Sequence, residues 1–381
     1  MGKSISGGVR PGVIVDIEHR LLQQIIVGQH KAPLPMFAEL DKSLEDDANK
    51  LEIERQAIRN RLSKQLEQQQ PFESVSGQLI DTVNSTLDDQ LASPQLLLQQ
   101  SGINETQVLI LEVLQHKNAD LRRLRTLISD LPWLCRDLTN IVNSPSFRHH
   151  GVQRSEVKVS DLKLVLNFIG MENLQSLIPY FCLRNWLPSG QPNLLWTTRK
   201  LWRYSILTAI AAKALAQLEQ KNNALAYSCG LLHQLGSSVV LKHAAKVFEQ
   251  VWGSWLKEAN HNQEKAVYDA VLATEFPASN VLKQTLVHAH RLNWQLLSLL
   301  KFEQSPLTQV QRELDTCLSY SELSEYAALV AQASCYAKMM MLEDMRMITP
   351  KEKQLMFDYY ELTEQQLIRL QGQNFRKLEI G

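Results

Sequence analysis

The residues best placed to do chemistry lie in Gly230-Leu231-Leu232-His233-Gln234-Leu235-Gly236. A histidine flanked by leucines and followed by glycine looks like a metal-site helix end, because a neutral imidazole is a good ligand for divalent metals. A metal site would want a carboxylate beside it, and position 234 is glutamine. Cys229 precedes His233 by four residues, so the two share a face on a helix. The pair reads as a buried cysteine beside a core histidine, since free cysteines are mostly buried and inert. His288 and His290 would point about 200° apart on a regular helix and make a poor ligand pair. A place near a helix carboxyl end, where cations suit the dipole, is expected for them. His149 and His150 are adjacent in a polar loop and are not expected to share a metal. Arg122, Arg123 and Arg125 read as one solvated helix face. The sequence has no glycine-rich phosphate loop, no G-x-S-x-G elbow and no H-E-x-x-H pair.

The elements that would position these residues are helices. Gly (15) and Pro (13) are too sparse among 381 residues for a fold built on tight β turns. Runs rich in Leu, Ala, Gln and Glu favour helix instead. No strand alternation, hairpin signal or 20–50-residue repeat is evident. Lys plus Arg equals Asp plus Glu at 40 each, so no basic excess points to nucleic acid. No 18-residue apolar run predicts a membrane span. None of the five cysteines forms a C-x-x-C, which fits a reducing cytoplasm. Met1-Gly2 with Ser6 matches a myristoylation pattern too short to separate from coincidence.

The chain divides into four expected parts: a mobile N-terminus at 1–15, an N-terminal helical extension at 16–100, a central domain at 101–303, and C-terminal helices at 304–381. In the extension, a short helix is expected from Asp16 to Val27 and a long polar one from Asp41 to Gln69. Leu44, Ala48, Leu51, Ile58, Leu62 and Leu66 give the long helix a narrow apolar stripe, suited to oligomerisation, to binding a partner or to lying across the domain behind it. Three short helices follow between Asn104 and Pro145, with Asn118 a candidate cap for the second. Ser160-Asp161 should start a helix that Gly170 ends. A long helix to Leu218 carries Ser205, Ala209, Ala212 and Ala216 on one face, small enough for close helix approach. Further helices are expected over Asn222–Leu235 and Val239–Trp252, with later breaks at Pro277, Pro306 and Pro350.

Taken together, Leu201-Trp202-Arg203-Tyr204-Ser205, Ala209, the Gly230–Gly236 stretch, the upstream Asn143-Ser144-Pro145 with Phe147, and Leu164–Gly170 form a familiar order. It resembles the HDOD domain, the HD-related output domain of bacterial signalling proteins. The resemblance covers roughly residues 104–300 and implies an all-α, multi-helix bundle acting in regulation. The related HD phosphohydrolases hold divalent metals through a histidine, a His-Asp pair and a later aspartate. The resemblance places Tyr204, His233, Gln234 and Gln332 at those positions. Two neutral carboxamides and a phenol of reference pKa about 10 cannot replace the missing charge. A degenerate site is expected, with no metal and no cofactor, its four residues joined by hydrogen bonds. The leading functional expectation is a non-catalytic signalling module that contacts an unidentified signalling protein, with neither membrane nor nucleic acid as partner. One alternative is a metal-dependent phosphohydrolase of nucleotides or cyclic dinucleotides, recruiting ligands such as His288, His290 or Asp269. Another is a nucleotide sensor using Lys200 and Arg203 beside Tyr204.

Overall fold

The computed structural model describes residues 10–28, 56, 70–116, 119–145, 147, 158–188, 190, 192–317 and 319–375. Among the described residues there is no strand, and the fold is all-α. The helices run α1 Gly12–Ile26, α2 Gln70–Leu91, α3 Pro94–Ser101, α4 Glu105–Gln115, α5 Leu121–Ser129 and α6 Pro132–Val142. They continue with α7 Leu162–Ile169, α8 Met171–Trp186, α9 Leu195–Leu218, α10 Asn223–Leu232, α11 Leu235–His261 and α12 Lys265–Ala273. The chain ends in α13 Ala278–Leu299, α14 Pro306–Thr316, α15 Glu325–Asp344, α16 Pro350–Tyr359 and α17 Glu364–Gln371.

Local chemistry sets most of these ends. Asn104 and Gln107 form a reciprocal capping box at the start of α4, as do Thr349 with Glu352 at α16 and Thr363 with Gln366 at α17. Asp161 caps α7 through the Leu164 amide, and Gly170 ends that helix at φ +75°, a conformation glycine adopts without penalty. Pro306 and Pro350 stand at the first helical position, where a missing N–H costs nothing. Asp120 caps α5 through the Arg122 amide, whereas Asn118 lies outside the described residues. Asn143 bonds both the amide and the carbonyl of Val159, closing the loop between α6 and α7.

The core is a layered bundle centred on α9 and α10. α9 packs against α10 on one side and α15 on another, and α11 lies against α13. The small-residue face of α9 makes the first contact possible: Ala209 and Ala212 are fully buried there. A smaller apolar cluster joins Leu79 and Val83 of α2 to Val247, Phe248 and Val271 of α11 and α12. Among the described residues, one stretch is apolar enough to cross a membrane by length and composition, Asn223–His261; it is broken between α10 and α11, and its most apolar 18-residue window is buried in this core.

Three features differ from the sequence expectations. α1 begins at Gly12, inside the stretch read as a mobile tail, because Ile14 belongs to a buried stripe with Ile17, Leu21 and Ile25. The helix expected over Asn222–Leu235 ends at Leu232 and the next begins at Leu235 instead of Val239, so the break between them falls at His233 and Gln234. α11 runs past Trp252 to His261, since Gly253 and Ser254 weaken a helix without ending it. The Leu44–Leu66 stripe lies outside the described residues.

Candidate functional site

The turn at His233–Gln234 is built by close packing on both sides. A side chain at Gly230 would meet the Ala209 Cα and the Thr208 carbonyl at 3.0 Å. A side chain at Gly236 would meet the Ala289 carbonyl oxygen at 1.9 Å. The two glycines therefore let α10 press onto α9 and α11 press onto α13. Asn293 of α13 then pins the turn from both directions. Its Nδ2 donates to the His233 carbonyl at 2.7 Å, and its Oδ1 accepts from the Gly236 amide at 2.7 Å.

The His233 side chain is fixed by its own helix. Nδ1 lies 2.6 Å from the Gly230 carbonyl, which assigns it the proton. Burial, opposed by that hydrogen bond and reinforced by nearby Lys338, lowers its pKa to about 3. The ring is thus neutral, and its buried Nε2 is an acceptor with no hydrogen-bond partner. Tyr204 packs edge-on against it with centroids 4.7 Å apart. The Tyr204 hydroxyl lies 2.6 Å from Ser334 Oγ, and burial raises its pKa, so the phenol keeps its proton.

Tyr204, His233 and Gln234 line one cavity of about 180 Å³, whose far wall is the N-terminal helix α1. Glu18 of α1 reaches into it. Its Oε1 accepts from Lys338 Nζ at 2.5 Å and from the Tyr360 hydroxyl at 2.6 Å, and its Oε2 accepts from Arg10 at 2.9 Å. Burial alone would push the Glu18 pKa up. The charges of Lys338 and Arg10, with these hydrogen bonds, instead hold it at about 2. Lys338 stays protonated: burial opposes the charge, but Glu18 more than offsets it. Arg20 ties the same helix to α16 through Glu352 and the Met347 carbonyl, both at 2.8 Å.

The other residues singled out in the sequence go elsewhere. Gln234 accepts from Ser237 Oγ at 2.7 Å within the first turn of α11. Gln332 does not join Tyr204, His233 and Gln234. Its Nε2 donates to the Tyr360 carbonyl at 3.1 Å and its Oε1 accepts from Gln366, so it fastens α16 and α17 to α15. One four-residue network is therefore not what the structure holds; Ser334, two positions on, takes the place facing Tyr204. Lys200 donates to the carbonyls of Gln24 and Gly28, closing the carboxyl end of α1, and burial lowers its pKa to about 8. Arg203 is paired with Asp344. His288 and His290 lie in the middle of α13 and not near its end. His290 lines the cavity, and desolvation lowers its pKa. Cys229 is buried with its thiol pKa raised by burial, which leaves no thiolate for His233 to assist.

Glu18, Lys338, Ser334 and Asn293 are site residues that the sequence reading missed. Two of them leave a trace in it. Glu18 sits four residues after Ile14 and three before Leu21, on the apolar stripe of α1. Lys338 lies four residues after Ser334 and four before Leu342, on the buried face of α15. A charged residue on an apolar stripe calls for a buried partner of opposite sign.

The donor set does not fit a divalent metal. His233 offers a single free nitrogen, Tyr204 is protonated, Gln234 is engaged within its helix, and the Lys338 ammonium stands at the same cavity. Among the described residues, no three His, Cys, Asp or Glu side chains lie together as a metal-holding group.

Residues 102–282, which span the Asn143 loop closure, α9 and the Gly230–Gly236 turn, match the family model of the HDOD domain. No curated protein and no solved structure matches the chain. α1 and α15, which supply Glu18 and Lys338 to the cavity, lie outside the matched span. Residues 102–282 are thus similar to the HDOD domain, and helices from beyond that span complete the cavity.

Proposed function

We propose that this chain is a non-catalytic regulatory module that works by contact with another signalling protein, its HD-type metal site degenerate. The observation that carries this is the Glu18–Lys338 pair beside His233. A metal hydrolase concentrates anionic ligands so that a divalent cation can bind and acidify water. Here the carboxylate in the cavity is already neutralised by two protein cations, and His233 offers only a neutral acceptor nitrogen. The match to the HDOD domain is consistent with a signalling role. Five unpaired cysteines fit a reducing, cytoplasmic setting.

The test is hydrolysis. Purified chain with Mn²⁺ or Mg²⁺ should release no phosphate from nucleotides and should not linearise cyclic dinucleotides. Turnover that His233→Ala abolishes would overturn the reading in favour of a phosphohydrolase. The partner-contact half is tested at the Leu44–Leu66 stripe. Leu51→Ser, Ile58→Ser and Leu62→Ser together should reduce oligomer mass or partner capture, and unchanged behaviour in both removes the stripe from the proposal.

A further inference from the structure

The cavity under α1 holds binding capacity that its internal contacts leave unused. His233 Nε2 is a buried acceptor without a partner, on a ring only 5% exposed. A buried polar atom of this kind costs stability unless something donates to it. Two cations, Lys338 and Arg10, face one carboxylate, Glu18. An ammonium has three donors and a guanidinium five, and Glu18 takes one from each. The cavity thus has one net positive charge from these groups, spare donors and a fixed acceptor. Its volume of about 180 Å³ exceeds the roughly 150 Å³ that admits benzene to an engineered cavity.

A removable lid is the competing use of α1, and magnitudes argue against it. Ile14, Ile17, Leu21 and Ile25 are each 0% exposed, and Arg20 and Lys200 add polar ties at both neighbouring helices. A helix held this way is a wall of the cavity. The ligand must enter past it and fit beside Glu18.

We propose that this cavity is a binding site for a small oxyanion that also carries an O–H group. The anionic oxygens take the spare donors of Lys338 and Arg10, and the hydroxyl donates to His233 Nε2. Hydroxycarboxylates and hydrogen phosphate share this chemistry. Acetate lacks the hydroxyl, and glycerol lacks the charge. The inference deepens the non-catalytic reading and rests on it, since the ligand is held and not hydrolysed.

The experiment is calorimetric titration of the full chain, metal-free and with chelator present, against glycolate, inorganic phosphate, acetate and glycerol. Saturable binding of glycolate or phosphate is expected, with acetate about tenfold weaker, the worth of one hydrogen bond. Which of the two binds more tightly distinguishes a carboxylate ligand from a phosphate. His233→Asn keeps an amide donor near the Gly230 carbonyl but removes Nε2, and should bring glycolate and acetate to similar affinity. Arg10→Gln removes one of the two cations while Glu18 stays paired with Lys338, so the net charge of these groups falls to zero, and it should weaken all anions. If either variant fails to fold, nitrogen NMR of the wild-type histidines replaces it: Nε2 of His233 should leave its bare-acceptor position as glycolate is added. No saturable binding of either probe at 10 mM, or equal binding of glycolate and acetate by the wild type, overturns the proposal. Neither result bears on the hydrolysis test, which fails only on turnover.

Discussion

His233 holds its proton on Nδ1 against the Gly230 carbonyl, and that makes acid its first vulnerability. Its folded pKa, about 3, lies below the 6.5 of the free side chain. Between those values the unfolded chain binds a proton that the folded chain does not, so stability is complete above 6.5 and is lost as pH falls. From pH 7 to pH 5 this costs about 2 kcal/mol. His243 and His290, both shifted down first by desolvation, add in the same direction. Glu18 follows at lower pH: its contribution is complete above 4.5 and is lost as pH falls toward about 2. Urea unfolding at pH 7 and pH 5 should show the drop, and His233→Asn should shrink it by about 2 kcal/mol. An unchanged slope in that variant would mean His233 is not held neutral. The identity of this residue was legible in the sequence, but its proton was not. The tautomer depends on a backbone carbonyl one turn away, and the pKa on burial by α1 and α15.

At the scale of elements, Gly230 and Gly236 look alike in the sequence and differ in the structure. At Gly230 an added Cβ would meet Ala209, Thr208 and Ala212 atoms at 3.0–3.1 Å, which a shift of a few tenths of an ångström relieves. At Gly236 the nearest three atoms are all Ala289 backbone, the closest at 1.9 Å. Backbone in mid-helix cannot step aside, and Ala289→Gly would not help because the clash is with the carbonyl. Gly230→Ala should therefore cost about 1–2 kcal/mol, and Gly236→Ala more than about 3 kcal/mol. Chemical denaturation of the two variants gives the ranking, and the reverse order would refute this account of the α11–α13 contact. The helices themselves were largely readable, because their ends are set by Asn104, Asp161, Gly170, Pro306 and Pro350 acting on their immediate neighbours. A break between α10 and α11 was expected after Leu235, but its place at His233–Gln234 was not legible. It is enforced by Asn293, nearly sixty residues away, satisfying backbone groups on both sides of the turn.

The whole molecule depends on contacts that span nearly its full length. Glu18 meets Lys338 across 320 positions and Tyr360 across 342, and neither pairing has a local signature. This is why the cavity was half legible: the HDOD span supplied Tyr204, His233 and Gln234, while the charged half came from helices at both ends of the chain. The same geometry predicts the consequence of losing α1. Full burial of an aliphatic side chain is worth about 1.5–3 kcal/mol, so Ile14, Ile17, Leu21 and Ile25 together supply roughly 6–12 kcal/mol as an upper range. A domain has only about 5–15 kcal/mol of net stability, so α1 is comparable to the whole. Its removal would also take away Glu18, the partner of Lys338, and open the cavity to water. A chain lacking residues 1–28 should therefore lose its cooperative thermal transition and its near-ultraviolet circular dichroism while keeping much of its helical signal. Adding α1 back as a separate peptide should restore both, and the same peptide with Glu18→Ala should do so only at higher concentration. A truncated chain that unfolds cooperatively near the full-length midpoint would show that the HDOD span is self-sufficient and that α1 rests on a surface already complete without it.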